Sequence, residues 1–161
     1  MAVRLHTQMM IECMAYLRYK RQFNIVVDEY KNCDVIGLND TSDFIEVEIK
    51  TSFADLKNDK KKPKHTWYGE LKSRKFKPGK FFFMVPEELF EKVKPYVDEH
   101  FPYAGIMVWK PGKNKGRKFV ADVKVKKHAK DLNSKKLTDK QFKDLLKRLV
   151  SSIVISKLKL I

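Results

Sequence analysis

Cysteine is nearly absent from this chain. Two thiols in 161 residues, Cys13 and Cys33, are too few for a disulfide framework or for a zinc site of their own. Both stand among apolar neighbours and read as reduced core thiols. Long apolar runs are missing too: no stretch reaches the roughly 18 residues a membrane span needs. Glu12, Arg18, Lys20 and Arg21 interrupt the N-terminal segment where a signal peptide would carry its apolar centre. No internal repeat occurs at any useful period. Acid is the remaining shortage, because 20 Asp and Glu against 35 Lys and Arg leave a formal net charge of +15. The expectation is a soluble, cytoplasmic protein with no membrane partner and a polyanionic one. On charge alone nucleic acid comes first and an acidic membrane surface second, and DNA is the partner expected.

What is present supports a folded domain. A hydrophobic fraction of 43% with 12% aromatics excludes a disordered chain despite 34% charged residues. The length suits one buried core. One domain is expected over residues 1–161, with a core at about 7–125 and a basic amphipathic helix at about 138–157.

Thr7 to Arg21 reads as a helix with Met10, Cys13, Met14 and Leu17 on its buried side. Glu12 leaves that stripe and shares a face with Gln8, Tyr16 and Tyr19. Asn24 to Tyr30 is a strand. In Phe44-Ile45-Glu46-Val47-Glu48-Ile49-Lys50 the apolar residues alternate with Glu46, Glu48 and Lys50, the period of a half-buried strand. The polar segment Asn39 to Asp43 lets Asp34-Val35-Ile36-Gly37 fold back on it as a hairpin. A turn centred near Thr41 sets Asp34 opposite Glu48, with Cβ atoms about 5 Å apart. Lys50 lies two residues along the same face, and Glu46 replaces Glu48 if the register slips by two. Ser52 caps a second helix that runs to about Lys61 and stops before Pro63. Lys64 to Lys80 has no clean period. Lys80 to Val85 is a strand buried on both faces, and Pro86 opens a helix that Pro95 should kink or end. Tyr103 to Trp109 and Lys118 to Val125 are strands around a basic turn at Pro111 to Gly116. Thr138 with Gln141 is a capping box opening the last helix. The pattern alone allows α/β or α+β arrangements.

Two carboxylates about 5 Å apart repel unless a cation lies between them. Mg²⁺, a hard ion, takes one or two protein carboxylates and keeps water and phosphate oxygens for the rest. By itself an E-x-K on a strand is ordinary alternation. Here it comes with an aspartate at hairpin distance, an acidic residue on the first helix and a strongly basic chain.

Asp34, then Glu48-x-Lys50, resembles the PD-(D/E)xK nuclease superfamily. The run Val47 to Lys60 is similar to its MmcB-like DNA-repair branch, with its "VEIK-S-x-ADF-x-x-D-K" pattern. Phe82-Phe83-Met84-Val85-Pro86 and Gly105-Ile106-Met107-Val108 resemble later strands of that branch. The likeness covers roughly Ile11 to Val108; the lysine-rich insert Lys61 to Lys80 and everything after Trp109 depart from it. The resemblance implies an α/β, restriction-endonuclease-like core with a central mixed sheet flanked by helices. It implies a Mg²⁺- or Mn²⁺-dependent DNA nuclease, an endonuclease in DNA repair or recombination. Asp34, Glu48 and the Ile49 carbonyl would hold the metal, and Glu12 would complete the site by binding a metal-bound water or a second ion. Lys50 would hold or deprotonate the attacking water, or balance phosphate charge. Asp59 and Lys60 are weaker site residues on the same basis. A Holliday junction resolvase working as a homodimer, and a non-catalytic DNA-binding module on the same fold, are the alternatives. Nothing reports on the 2′-hydroxyl that separates RNA from DNA.

The insert is densely basic. Lys57, Lys60, Lys61, Lys62 and Lys64 are expected to neutralise phosphates. Trp67 and Tyr68 can stack on unpaired bases or cover the core. Lys113, Lys115 and Arg117 form a second basic set at a hairpin tip. His65 and His128 are isolated and read as bystanders.

Overall fold

The computed structural model describes residues 4–39, 44–70, 76–115 and 118–159, apart from the side chains of 114–120. Six strands follow chain order across one open sheet: β1 (Ile25–Tyr30), β2 (Cys33–Leu38), β3 (Phe44–Ile49), β4 (Lys80–Pro86), β5 (Gly105–Lys115) and β6 (Lys118–Lys127). The β1–β2, β2–β3 and β5–β6 pairs are antiparallel, while β3–β4 and β4–β5 are parallel. The chain is therefore α/β with a mixed sheet flanked by helices. Lys31 and Asn32 join β1 to β2 with φ of 49° and 63°, the left-handed backbone a two-residue hairpin turn requires. At Gly105 a Cβ would stand 2.4 Å from the Phe82 ring, so the ring of β4 occupies the space a side chain would need.

Strand alternation sorts the core into two layers. Val35, Val47, Ile49, Phe82 and Met84 pack under α1 (Leu5–Ala15), which presents Met9, Met10 and Cys13 before a π-helical turn at Tyr16–Lys20. Phe81, Phe83 and Val85 face the other way, under α2 (Phe53–Asp59), α3 (Pro63–Gly69) and α4 (Phe90–His100). On that same side, next to β1, Ile36, Leu38 and Phe44 pack against Leu145 of α5 (Asp139–Leu158). Replacing a fully buried ring such as Phe83 by alanine would cost about 3–5 kcal/mol.

Three elements differ from the sequence reading. The α3 helix occupies part of the segment without a clean period. Pro63 starts it, and its inward residues are His65 and Tyr68, which an apolar count overlooks. Pro95 does not end α4, which continues to His100 because Val93 and Val97 anchor it on both sides of the proline. The β5 strand runs through Pro111 to Lys115, and the register shift between Lys110 and Lys113 accommodates the proline. The caps stand where read: Ser52 Oγ accepts the Asp55 N–H at 3.2 Å as a one-way N-cap, and Thr138 and Gln141 form a reciprocal capping box. Residues 40–43, where the β2–β3 turn was expected, lie outside the described residues.

Candidate functional site

Register decides what meets Asp34. Val35 pairs with Val47 and Ile36 with Glu46, so the next step along β2 brings Asp34 beside Glu48, as the unslipped hairpin requires. Asp34 Oδ2 accepts the Ile49 N–H at 2.7 Å and lies 3.5 Å from His6 Nε2 of α1. The described link of Ile49 to Asp34 is thus its amide. Asp34 and Glu48 both line a cavity of about 1020 Å³, together with Lys31, Lys62, Lys64 and Trp67.

Glu46 and Glu48 alternate with Val47 and therefore point into the layer beneath α2 and α3, where they are 0% and 2% exposed. Carboxylates this deep require cations or hydrogen-bond donors, and here lysines supply most of them. Lys64 Nζ lies 2.6 Å from Glu46 and 2.7 Å from Glu48, and Lys62 pairs with Glu48. Lys50 Nζ lies 3.2 Å from Glu48 and 2.6 Å from Asp59, which also takes Lys62 at 2.7 Å. Three carboxylates and three ammonium groups balance. His65 and Tyr103 extend the cluster: His65 bonds Asp59 through Nε2 and the Tyr103 hydroxyl through Nδ1, the latter at 2.6 Å. Tyr68 donates its hydroxyl to Glu46 at 2.7 Å.

The protonation equilibria follow from this arrangement. Burial would raise Glu48, but Lys64 and Lys50 outweigh it and hold the carboxyl below its ordinary value. Asp59 is likewise held low, His65 and Lys50 overcoming its burial. Asp34 moves the other way. Burial first and the Glu48 charge second raise it, against the Ile49 amide and His6. Lys50 favours the charged form as well, and the three together do not overcome the first two causes.

Glu12 is not brought to this pair. Its Oε2 accepts Trp109 Nε1–H and the Gly112 N–H, each at 2.9 Å, and its Oε1 accepts from Gln8 at 3.1 Å. The helix that carries it covers the face of Val47 and Ile49, whereas Glu48 points to the opposite face. Helical spacing set Glu12 apart from its own stripe but did not tell which side of the sheet α1 covers.

The basic residues divide. Lys62 and Lys64 reach the carboxylates rather than solvent alone. Lys57 lies exposed over the Phe53 ring, Lys60 is exposed with Nζ 3.4 Å from His100 Nδ1, and Lys61 and Lys113 are exposed. The side chain of Lys115 and all of Arg117 lie outside the described residues. Trp67 packs against the Leu56–Phe83 cluster, so it covers the core, and it also lines the cavity. Sequence reasoning missed Glu46, His65 and Tyr103 as members of the cluster. For His65 a signal existed: Asp59 and His65 flank Pro63, which starts a new turn and folds one back on the other.

Neither a protein-family model nor a curated protein matches the sequence. A solved structure of a protein of unknown function from Silicibacter pomeroyi is similar at a TM-score of 0.61 and 18% identity. The match covers 99% of this chain and 93% of that one. It shows a shared fold.

The donor set suits one kind of ion. Among the described residues no group of three or more His, Cys, Asp and Glu could enclose a metal. Two carboxylates on a cavity wall, one of them without a lysine partner in the described ion pairs, fit Mg²⁺ or Mn²⁺, which retain water.

Proposed function

We propose that this chain is a divalent-metal-dependent DNA nuclease, hydrolysing phosphodiester bonds in DNA repair or recombination. The observation that carries the reading is the convergence of Asp34 and Glu48 on one cavity that Lys31, Lys62 and Lys64 also line, with Lys50 3.2 Å from Glu48. The motif likeness in Asp34, Glu48 and Lys50 supports it. Asp34 and Glu48 would hold the ion, with the Ile49 carbonyl as the further ligand the resemblance implies. When bound, the ion supplies a more acidic water and neutralises charge building on the phosphoryl oxygens. Asp59 holds Lys50 Nζ at 2.6 Å, so the ammonium is oriented before substrate arrives. Lys62, whose side chain is 40% exposed, can pass from Glu48 to a substrate phosphate. That exchange would leave Glu48 with Lys50 and Lys64 as the anion enters.

A second reading is favoured by one observation. Glu48 already has three lysines around it, so the carboxylates can serve as counter-ions in a DNA-binding module that cuts nothing. A cleavage assay separates the two. Linear duplex, single strand, nicked circle, flap and four-way junction are offered with Mg²⁺, Mn²⁺ or EDTA. Metal-dependent cleavage of at least one substrate is expected, and preference for the junction would indicate the resolvase form. No cleavage by folded protein with either metal would leave the binding module.

A further inference from the structure

We infer that the cavity beside Asp34 and Glu48 receives an unpaired nucleotide of a DNA strand. The inference deepens the nuclease reading and rests on it for the identity of the polymer. Size is the first argument. A space of about 1020 Å³ is at the upper end of what proteins use to enclose a whole ligand, and a groove that only follows a duplex backbone has no need of it.

The walls give the chemistry. Aromatic surface comes from Trp67, Tyr68 and Phe76, and charge from Lys31, Lys62 and Lys64 set against Glu29, Asp34 and Glu48. A flat apolar ring joined to an anion matches that division, and a nucleotide is such a molecule. Phe76 is a fixed wall: its ring stacks on Phe44 at 4.6 Å, meets the edge of Tyr30 at 5.5 Å and carries Lys31 Nζ 4.8 Å above it. Tyr68 is buried and tied to Glu46. Trp67 is half-buried and lines the cavity, so part of its surface faces that space. Lys64 spans the cavity wall, since its ammonium reaches both Glu48 and the Asn32 carbonyl of the β1–β2 turn.

A base within a duplex has both faces covered and its edge paired, so it enters a pocket only after unstacking. An overhang, flap or gap offers the same base without that cost. The pocket therefore selects unpaired DNA over intact duplex, against the denser charge of the duplex, which favours the opposite order.

The test is equilibrium binding in EDTA, where no cleavage is needed. A single strand, the same sequence as blunt duplex, the duplex with a short overhang and the matching RNA strand are compared at one ionic strength. The single strand and the overhang should bind more tightly than blunt duplex and quench the emission of Trp67. Trp109, 5% exposed and bonded to Glu12 on the other face, should contribute no change. Trp67→Ala should weaken overhang binding about 5- to 150-fold and leave blunt duplex unchanged, and Trp67→Phe should restore most of the loss. If Trp67→Ala fails to fold, the quenching in the unaltered protein decides. Equal or tighter binding of blunt duplex without quenching would overturn the inference, and so would RNA binding more tightly than DNA. Overhang binding as described without any cleavage in Mg²⁺ or Mn²⁺ defeats the nuclease reading and leaves the pocket standing. Cleavage of blunt duplex as readily as overhang, with no quenching, defeats the pocket alone.

Discussion

Glu12 and Glu48 are almost equally buried, at 3% and 2% exposed, yet opposite faces of the sheet hold them in different ways. On the α1 face, Glu12 is satisfied by neutral donors that belong to rigid parts of the fold, the Trp109 indole and the Gly112 amide. On the other face, Glu48 is met by the ends of three lysine side chains. A neutral N–H built into the scaffold has nowhere else to go. A lysine tip on a cavity wall can leave for a phosphate, because its stem is flexible and its charge suits either partner. Burial alone does not mark a carboxylate as reactive; the mobility of what neutralises it does.

The comparison breaks most sharply on catalysis. Asp34→Asn or Glu48→Gln should lower metal-dependent cleavage by on the order of 10²–10³-fold or more. Full activity in either variant would remove the site. Next comes Lys64→Met, which leaves Glu46 and part of the Glu48 charge uncompensated and should cost about 3–5 kcal/mol in denaturant unfolding. Pairing it with Glu46→Gln should recover much of that loss; if it does not, the two groups are not coupled. Glu12→Ala strands two N–H groups and should cost about 2–4 kcal/mol, while cleavage per folded molecule stays the same. A large drop in turnover at full folding would return Glu12 to the mechanism.

The smallest effect concerns acid. Glu48 and Asp59 lie below their ordinary values of 4.5 and 3.8, so the unfolded chain binds protons that the folded chain refuses. Their contribution is complete above about pH 4.5 and is lost as pH falls below that value. Asp34, raised by burial and by Glu48, opposes this in part, since it is stabilised by the proton. Stability measured across that window should fall with acid, and Glu48→Gln should flatten the slope. An unchanged slope would mean the lysines do not hold Glu48 in solution.

The strands around the site were legible because alternation and a polar hairpin leave little freedom: the Ile36–Glu46 pair stands where the unslipped register sets it. The apolar helix faces were legible for the same reason. What stayed hidden depends on tertiary contact. Which side of the sheet α1 covers is not written in its stripe, so Glu12 was misplaced. The α3 helix turns His65 and Tyr68 inward, and polar side chains look like surface until their partners are known. Lys62 and Lys64 were read as phosphate contacts because a lysine-rich run gives no sign that buried carboxylates wait opposite.

Strand order that follows chain order has a kinetic consequence. Few residues of sequence separate β1 from β2 and β2 from β3, whereas residues 50–79 separate β3 from its parallel neighbour β4. Local pairing precedes long loop closure. If hairpin pairing comes first, Glu46 and Glu48 stand on it still hydrated before α3 delivers Lys62 and Lys64. Docking of that helix becomes a late step whose rate salt should slow, because it joins opposite charges across open water.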